Sequence, residues 1–302
     1  MNTHSSSPAS GSTQRALVLG GGGSAGNAWL IGIIAGLFDT GLDVTNADLI
    51  IGTSAGATAA AQITSATRPG ELFASILAAV PPARTHQASA APQPSTISHL
   101  DQLSAIIASA RDAPDMRRRL GAATLEGDKD PAGSAKWRAT VAGRLPGLTW
   151  PDRRVLITAI DANSGEGVVL DRESGVDLID AVAASTSNGF GAPPFVIGDR
   201  RLLDGGYRRN ENADLASGYE RVLVLSPLGG RTLHPLEWGM QLAAQVNELR
   251  AGGSRVETVL PDSDSLAVFG GNMMDPSTRL PAARAGHSQG AALAGDLAEF
   301  WG

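Results

Sequence analysis

The chain of 302 residues contains no cysteine, and this absence narrows its chemistry. Without cysteine the protein can form no disulfide bond and can use no thiolate as a nucleophile. A zinc ion would have to be held by histidine and carboxylate ligands alone. Any covalent catalysis must therefore use a nucleophile other than sulfur.

Basic charge and long apolar runs are also scarce. The net charge of −6 leaves no basic excess, which argues against nucleic acid as a main partner. No apolar run approaches the roughly 18 residues that a transmembrane helix requires. Residues 1–14 are rich in serine and lack the basic start and apolar segment of a signal peptide, so we expect a disordered tail. We expect a cytoplasmic protein that meets any lipid from the aqueous side.

An apolar stretch that begins at Leu49 carries the clearest catalytic signal. It ends in a Gly-x-Ser-x-Gly sequence formed by Gly52, Ser54 and Gly56, and an alanine-rich run follows. This order predicts a strand, a tight turn and a helix, which is the arrangement of a nucleophile elbow. Glycines two residues before and after the serine leave room for the sharp turn. We therefore expect the N-terminus of a helix to be directed at the Ser54 hydroxyl.

A second glycine-rich turn precedes this elbow. Residues 16–19 predict a strand, and the apolar positions in 27–38 recur at helical spacing. The turn between them contains Gly21, Gly22, Gly23 and Gly26. Such a loop presents backbone N–H groups to an anion with no side chains in the way.

Two functions fit this glycine loop. As an oxyanion hole, it would stabilise the negative charge that forms when Ser54 attacks a carbonyl group. As a dinucleotide fingerprint, Gly-x-Gly-x-x-Gly at 21–26, it would hold a pyrophosphate, with Asp43 near the ribose. A simple packing turn is a third interpretation. We favour the oxyanion hole, because the elbow would end the neighbouring parallel strand, and open α/β sheets build their sites at the carboxyl ends of such strands.

Residues 64–150 give weaker signals. Apolar spacing predicts helices at 72–80 and 100–110, and the proline- and serine-rich residues 81–98 predict a mobile loop. Residues 112–134 predict no firm structure beyond a helix near Met116. The region is either helical packing or a cap over an acyl pocket, and both interpretations stay open.

Regular structure returns after residue 150. Strands are expected at 155–160, 167–170, 201–204, 221–226 and 256–260, and helices at 176–185, 233–250 and 278–301. The alternation of strands and helices predicts an α/β protein whose mainly parallel central sheet has helices on both faces. We expect one domain over residues 15–302 that includes the helical region 64–150.

One of these strands ends in an acidic residue followed by two glycines, Asp204, Gly205 and Gly206. A carboxylate at this position can be held rigidly, and another backbone can approach it closely. Taken alone, these three residues favour an ordinary turn over a catalytic acid.

A second Gly-x-Ser-x-Gly sequence occurs at residues 286–290 and contains Ser288. The residues before it do not form an apolar strand. No histidine follows it, whereas α/β-hydrolases place an acid and then a histidine after the serine. We interpret this second motif as part of a helix surface built from small residues.

The glycine loop, the Ser54 elbow and the Asp204-Gly205-Gly206 element, in this order, resemble the patatin-like phospholipase family. The resemblance covers most of the chain, from about residue 16 to the last strand. It implies a patatin-like three-layer architecture and a Ser–Asp dyad, with Ser54 as nucleophile and Asp204 as base. It also implies an oxyanion hole formed by the amides of Gly21, Gly22 and Gly23. The implied reaction is hydrolysis of lipid or other esters, at a membrane surface where the substrate is a lipid. The implied mechanism uses no metal or cofactor.

Two positions depart from the family pattern. The family loop usually carries arginine before its last glycine, where this chain has Ala25, so we expect neutral esters to be preferred over anionic phospholipids. The family also usually has a proline in the stretch that precedes its Pro-Pro pair. Residues 185–189 lack that proline, while Pro193 and Pro194 are kept.

Three other functions stay open on the sequence alone. A Ser-His-Asp hydrolase would use His234 or His287, which follow Asp204 in the order of α/β-hydrolases. A nucleotide-dependent oxidoreductase would use the glycine loop, and a binding protein would keep the fold without catalysis.

Overall fold

Strands and helices alternate along most of the chain in the computed structural model, which describes residues 14–79, 99–128 and 130–302. The strands in these residues are β1 (Arg15–Leu19), β2 (Leu49–Gly52), β3 (Arg154–Asp161), β4 (Gly167–Leu170), β5 (Phe195–Ile197), β6 (Arg200–Asp204), β7 (Arg221–Leu225) and β8 (Arg255–Val259). The α-helices are α1 (Gly23–Asp39), α2 (Ala55–Ile63), α3 (Pro69–Ala78), α4 (His99–Ser109), α5 (Ala113–Gly127), α6 (Gly133–Ala142), α7 (Leu178–Ser185), α8 (Leu242–Ala251), α9 (Ser263–Phe269) and α10 (Arg279–Trp301). The expected tail, apart from residue 14, and the expected loop at 81–98 lie outside the described residues. Within the described ranges, no helix combines the length and the apolar character needed to cross a bilayer.

The strands form one mixed sheet. Its hydrogen-bonded path runs β5, β6, β3, β2, β1, β7, β8, and β4 pairs with β3. The pairs β1–β2, β1–β7, β2–β3 and β7–β8 are parallel. The pairs β3–β4, β3–β6 and β5–β6 are antiparallel. The predicted α/β class with a mainly parallel central sheet is confirmed.

Strands β2 and β6 pair with the same edge of β3, one after the other along its length. Ile157 pairs with Gly52 of β2 and with Leu170 of β4, so β2 and β4 lie on opposite edges of β3. Ala159 pairs with β4 and also with Asp204 of β6, so β6 lies opposite β4 as well. Because β6 runs antiparallel to β3, its last residue approaches the end of β2. This topology brings together two chain segments that are far apart in the sequence.

Alternate strand residues build a hydrophobic core on each face of the sheet. On one face, Leu17 and Leu19 of β1 pack with α1, α2, α7 and α10. On the other face, Ala16 and Val18 pack with α8. Every one of these β1 side chains is buried, which explains the continuous apolar sequence of this central parallel strand. Helices therefore cover both faces, as expected.

The helices between residues 64 and 150 divide over the two faces. Leu72 of α3 and Val141 of α6 join the core around α1, whereas Leu120 of α5 packs with Ile160 on the opposite face. Helix α5 is longer than the sequence indicated. Its mostly polar sequence includes a narrow stripe of buried residues, and the Asp112 carboxylate caps its N-terminus. That these helices act as a cap, and that residues 15–302 form a single domain, stay predictions.

The expected long helix at 233–250 is wrong in its first half. Pro235 adopts an extended conformation, and only a short 3₁₀ helix, Leu236–Trp238, follows it. Gly239 then takes a left-handed conformation, with φ of 65°, which ends the turn. Helix α8 begins only at Leu242. The apolar spacing was helical, but the proline and the glycine interrupt the backbone.

The second Gly-x-Ser-x-Gly sequence lies inside α10, as expected for a helix surface of small residues. An added Cβ at Gly286 would lie 2.5 Å from Trp29 O, and one at Gly290 would lie 2.3 Å from Ile33 O. These glycines therefore allow the backbone of α10 to approach the backbone of α1 closely. Ser288 lies on the exposed side of the helix.

Candidate active site

Ser54 lies at the turn between β2 and α2. Its φ of 54° is positive, which residues with a side chain rarely adopt, so the turn holds this serine under strain. An added Cβ at Gly56 would lie 1.9 Å from Leu19 O, and one at Gly52 would lie 2.7 Å from the Cα of Ala57. Both glycines are required by close backbone contacts. The local structure is therefore the predicted strand, tight turn and helix.

Asp204 is the last residue of β6, and its carboxylate stabilises the 3₁₀ helix that follows. Its Oδ1 accepts a hydrogen bond from the N–H of Gly206 at 2.8 Å. An added Cβ at Gly205 would lie 2.2 Å from Oγ1 of Thr158 on β3. The first glycine therefore allows close packing against β3, and the second supplies the N–H that orients the carboxylate.

Ser54 and Asp204 line the same cavity, which has a volume of about 560 Å³. Asp204 keeps some surface open to this cavity, although protein atoms surround the carboxylate. Burial raises the pKa of Asp204 to about 6, and hydrogen bonds from the Ser54 hydroxyl and the Gly206 N–H oppose that rise. The structure thus places the two predicted side chains on the wall of one cavity, close enough for the Ser54 hydroxyl to affect the pKa of Asp204.

A buried asparagine, which the sequence did not indicate, connects the strand ends. Asn212 is fully buried, and its Nδ2 donates to Thr53 Oγ1 at 3.0 Å and to Gly205 O at 3.2 Å. Thr53 Oγ1 also lies 2.8 Å from Thr158 Oγ1. These bonds hold the residue after β2 and the residue after β6 in a fixed relation. The only signal in the sequence was a polar run after the Asp-Gly-Gly element.

The glycine loop lies beside the elbow, because β1 and β2 are parallel neighbours. Gly23 lines the cavity with Ser54, and an added Cβ at Gly21 would lie 3.4 Å from the Cβ of Ser54. The N–H of Gly21, however, already donates to Asn210 O at 3.1 Å. Among the described residues, the N–H groups of Gly22 and Gly23 have no acceptor, so both can donate to an anion.

Other parts of the chain pack closely around this loop. Ala25 is fully buried, and its N–H donates to Met273 O at 2.9 Å. A Cβ added at Gly22 would lie 2.5 Å from the Cβ of Pro227, and one added at Gly26 would lie 3.0 Å from the same atom. Position 25 therefore has no space for an arginine side chain, and the glycines are required by the packing of the loop.

The position of Asp43 argues against the dinucleotide alternative. Asp43 lies before β2, at the amino end of that strand, whereas open α/β sheets bind their ligands at the carboxyl ends. Its Oδ1 accepts a hydrogen bond from the N–H of Thr45 at 2.9 Å. The carboxyl end of β2 leads instead to Ser54.

The structure does not bring His234 or His287 to Ser54, since neither histidine lines its cavity. His234 makes a hydrogen bond with Thr232 Oγ1 at 2.8 Å, and burial lowers the pKa of His234 to about 4. His287 pairs with Asp39 of α1 at 2.9 Å. In the described part of the chain, no group of three or more histidine and acidic residues is arranged to hold a metal ion.

Residues 185–189, which lack the proline of the family pattern, are held by side-chain hydrogen bonds. Ser185 is fully buried, and its Oγ accepts the N–H of Ser54 at 2.9 Å. Asn188 Oδ1 accepts the N–H groups of residues 190–192 at 3.0, 2.7 and 3.1 Å. This stretch therefore supports the backbone of the elbow directly.

Comparison with known proteins gives two findings. A family model described as Patatin-like phospholipase matches residues 17–217, well over half of the chain. Among solved structures, the chain is similar to the crystal structure of the type III effector protein ExoU, at 16% sequence identity and a TM-score of 0.37. That similarity covers 93% of this chain and 53% of the other, so this chain spans about half the length of the effector. The curated proteins gave no match.

Proposed function

Because this chain belongs to the patatin-like phospholipase family, a family of lipid acyl hydrolases, we propose that it cleaves carboxylic ester bonds of lipids or related esters. In this proposal Ser54 is the nucleophile and Asp204 is the general base. The reaction passes through an acyl-enzyme intermediate and requires neither metal nor cofactor.

The main support for the proposal is the position of Ser54 and Asp204 at strand ends that meet. The ends of β2 and β6 meet on one edge of β3, which places the hydroxyl of Ser54 and the carboxylate of Asp204 in one cavity, close enough for the hydroxyl to oppose the rise in the pKa of the carboxylate. A carboxylate whose pKa is raised to about 6 by burial is a better base than an ordinary aspartate. It is still ionised at neutral pH, which is the state that a general base requires.

In the first half-reaction, Asp204 accepts the proton of Ser54 as Oγ attacks the ester carbonyl carbon. The C–O bond to the alcohol then breaks, and Asp204 returns the proton to the leaving alcohol oxygen. In the second half-reaction, Asp204 accepts a proton from water, and the resulting hydroxide attacks the acyl carbon. The bond between the acyl carbon and Ser54 Oγ then breaks, Asp204 returns the proton to Oγ, and the carboxylic acid leaves.

The negative charge on the carbonyl oxygen would be stabilised by the N–H groups of Gly22 and Gly23. Their hydrogen atoms have no acceptor among the described residues, and they lie at the N-terminus of α1, whose dipole favours negative charge. The bond from Gly21 to Asn210 narrows the predicted set of three glycines to these two. Gly21 would then position the loop.

The walls of the cavity suit an acyl chain. Leu72 and Ile76 of α3 and Ile31 of α1 are among the residues that line it. Burial of a methylene group in such a pocket contributes about 0.8 kcal/mol. These residues belong partly to the region 64–150, which supports its role as a wall of the acyl site. Action at a membrane surface, with the lipid met from the aqueous side of the cytoplasm, belongs to the same proposal.

A serine-reactive fluorophosphonate probe tests the nucleophile. We expect the probe to modify Ser54 in the wild-type chain, with the modified peptide identified by mass spectrometry. The variant Ser54→Ala should take up no probe, and Ser288→Ala, the matched control in the second motif, should react at the wild-type rate. Likewise, p-nitrophenyl hexanoate should be hydrolysed by the wild type and by Ser288→Ala at equal rates, and not by Ser54→Ala.

Two results would contradict the proposal. If the probe reacts with Ser54→Ala as with the wild type, the nucleophile lies elsewhere. If neither the probe nor any ester of a set with different acyl chains and head groups reacts with the wild-type chain, the protein has kept the fold as a binding protein.

A further inference from the structure

Two arginines line the cavity of Ser54. Arg144 follows α6, and Arg279 is the first residue of α10. Arg279 lies beyond the residues 17–217 that match the family model, so it is a feature of this chain's own C-terminal helix. Both side chains are near the proposed nucleophile without taking part in the steps described above.

Arg279 reaches the glycine loop. Its guanidinium donates to Ser24 O at 3.1 Å and to Asn27 Oδ1 at 3.1 Å, both within the first turns of α1. Arg144 lies over the ring of Trp137, with 5.0 Å between the guanidinium carbon and the ring centroid. These contacts orient both cations with neutral partners, and several of their N–H groups stay free to donate to a ligand.

Neither arginine has an acidic partner. Within the described residues, no carboxylate forms an ion pair with Arg144 or Arg279, and the other residues of the chain include no Asp or Glu. The nearest acid in sequence, Asp275, accepts the N–H of Ser277 at 2.8 Å. Burial and then the positive charge of Arg144 lower the pKa of Arg279. Two cations that repel each other in one cavity favour binding of an anion between them.

We propose that Arg144 and Arg279 bind a phosphate group on the ester substrate while the acyl chain occupies the apolar side of the cavity. This inference rests on the proposed function, and it names the class of substrate. A phosphate monoester carries a charge of about −1.5 to −2 at neutral pH and three acceptor oxygens, which suits two guanidinium groups. A carboxylate offers one charge and two oxygens.

The pair also changes the expectation drawn from Ala25. That expectation of a preference for neutral esters considered only the arginine missing from the glycine loop. The Arg279 side chain extends from α10 and donates a hydrogen bond to Ser24 O of the same loop. The N–H of Ala25 is already bonded to Met273 O. We therefore expect a preference for phosphorylated esters over neutral ones.

Binding of ligands that cannot be hydrolysed tests the subsite independently of catalysis. Hexyl phosphate, hexanoate and hexanol share one chain and differ in charge, and calorimetry on the wild-type chain measures each. We expect hexyl phosphate to bind tightest. Arg144→Gln and Arg279→Gln should each weaken it by roughly 10- to 100-fold, the range typical of a lost charged hydrogen bond. The control Arg284→Gln removes an exposed charge from the same helix α10 and should leave binding unchanged.

Steady-state kinetics on short esters below their micelle concentration form the second arm. The ratio of kcat/KM for hexanoylglycerol phosphate to that for hexanoylglycerol should fall by roughly 10- to 100-fold in the two arginine variants and stay constant in Arg284→Gln. The change should appear mainly in KM. Because Arg144 bonds to no backbone atom of the loop, its variant separates ligand binding from support of the loop.

Each outcome decides between the proposals. If hexyl phosphate binds as tightly to both arginine variants as to the wild type, or no more tightly than hexanoate, the phosphate subsite is wrong. If the variants lose activity equally on neutral and phosphorylated esters, the arginines act only in structure and the subsite is also wrong. If hexyl phosphate binding depends on both arginines while no ester is hydrolysed, the subsite holds and the proposed hydrolase function fails.

Discussion

The chain contains the Gly-x-Ser-x-Gly pattern twice, and the two copies form different structures. Around Ser54 the pattern joins a strand to a helix, and the serine has a positive φ of 54°. Around Ser288 the pattern lies in the middle of one continuous helix, and the serine is exposed. The same five-residue pattern is therefore a strained turn in one place and a regular helix in the other.

Glycine is required at both copies for the same physical reason, which is close approach of backbone. At Gly56 the neighbour is the carbonyl of Leu19 in β1, and at Gly290 it is the carbonyl of Ile33 in α1. The difference is in the residues that precede each pattern. A buried apolar strand ends at Gly52, whereas a helical turn of small residues precedes Gly286. The flanking elements, and not the motif, decide whether the serine is presented to a cavity.

The largest expected effect separates the two serines. Ser54→Ala removes the proposed nucleophile, so kcat for p-nitrophenyl hexanoate should fall by about 10⁴-fold or more. Ser288→Ala removes an exposed hydroxyl and should keep wild-type turnover. Circular dichroism should show the wild-type fold for both variants. A large loss in Ser288→Ala with activity kept in Ser54→Ala would reverse the assignment of the two motifs.

The next effect concerns Asp204, the carboxylate that faces the first motif. Asp204→Asn keeps the shape of the side chain but cannot accept the serine proton, so kcat should fall by about 10²- to 10⁴-fold. The base acts as the carboxylate, and burial raises the pKa of Asp204 to about 6. The wild-type kcat/KM should therefore decline as the pH falls through about 6. A profile that stays flat down to pH 4 would exclude Asp204 as the base.

The same substitution should change stability in a pH-dependent way. The folded-state pKa of Asp204, about 6, lies above the ordinary aspartate pKa of 3.8, so the folded protein holds a proton that the unfolded chain releases between these values. Stability from this group is complete below about 3.8 and is lost as the pH rises through about 6. Asp204→Asn removes that loss, which is on the order of 2–3 kcal/mol. Its Tm relative to wild type should rise more at pH 8 than at pH 5, and an equal shift at both values would contradict this account.

A smaller effect, on stability alone, tests the second motif. Gly290→Ala would place a Cβ 2.3 Å from Ile33 O, so it should lower the free energy of unfolding by roughly 1–3 kcal/mol. Gly295→Ala, in the same helix with open space around it, is the control and should raise stability by about 0.5–1 kcal/mol. Urea denaturation measures both. The folded Gly290→Ala protein should keep its kcat, and a selective loss of activity would mean that the second motif serves catalysis.

The smallest effects belong to the histidines. His234→Asn and His287→Asn should each change kcat by less than about threefold, because neither side chain lines the cavity of Ser54. His287→Asn also removes a partly exposed pair with Asp39, a contribution of about 0–1 kcal/mol. A 10²-fold loss of kcat in either folded variant would favour a Ser-His-Asp hydrolase over the dyad.

Two errors of the sequence-based prediction have physical causes that the structure shows. Helical spacing at 233–250 was real, but Pro235 and Gly239 changed the backbone locally. Residues 112–134 were too polar to predict a long helix, yet Met116 and Leu120 suffice because tertiary packing covers that stripe. In the first case a competing local signal decided the backbone, and in the second tertiary packing outweighed the low local propensity.

The sequence by itself determined the order of most elements, and its resemblance to the family pointed to the two residues of the proposed dyad. Strand, glycine turn and helix are short-range patterns, because a turn with positive φ or close backbone contact needs particular residues at adjacent positions. The glycines around Ser54 and after Asp204 therefore predicted their own turns. The two faces of the sheet likewise follow from the alternation of apolar residues and helices along the chain.

Only the tertiary structure decided which distant residues share the cavity. Arg279 bonds to a loop residue 255 positions away, and Asn212 connects two strand ends from a third segment. The N–H of Gly21 is engaged by Asn210, which no spacing in the loop reveals. Such contacts depend on how the strands are ordered and which helices cover them. Local spacing contains no information on either, so the sequence does not distinguish Arg279 from a surface cation, and only the fold places it in the cavity of Ser54.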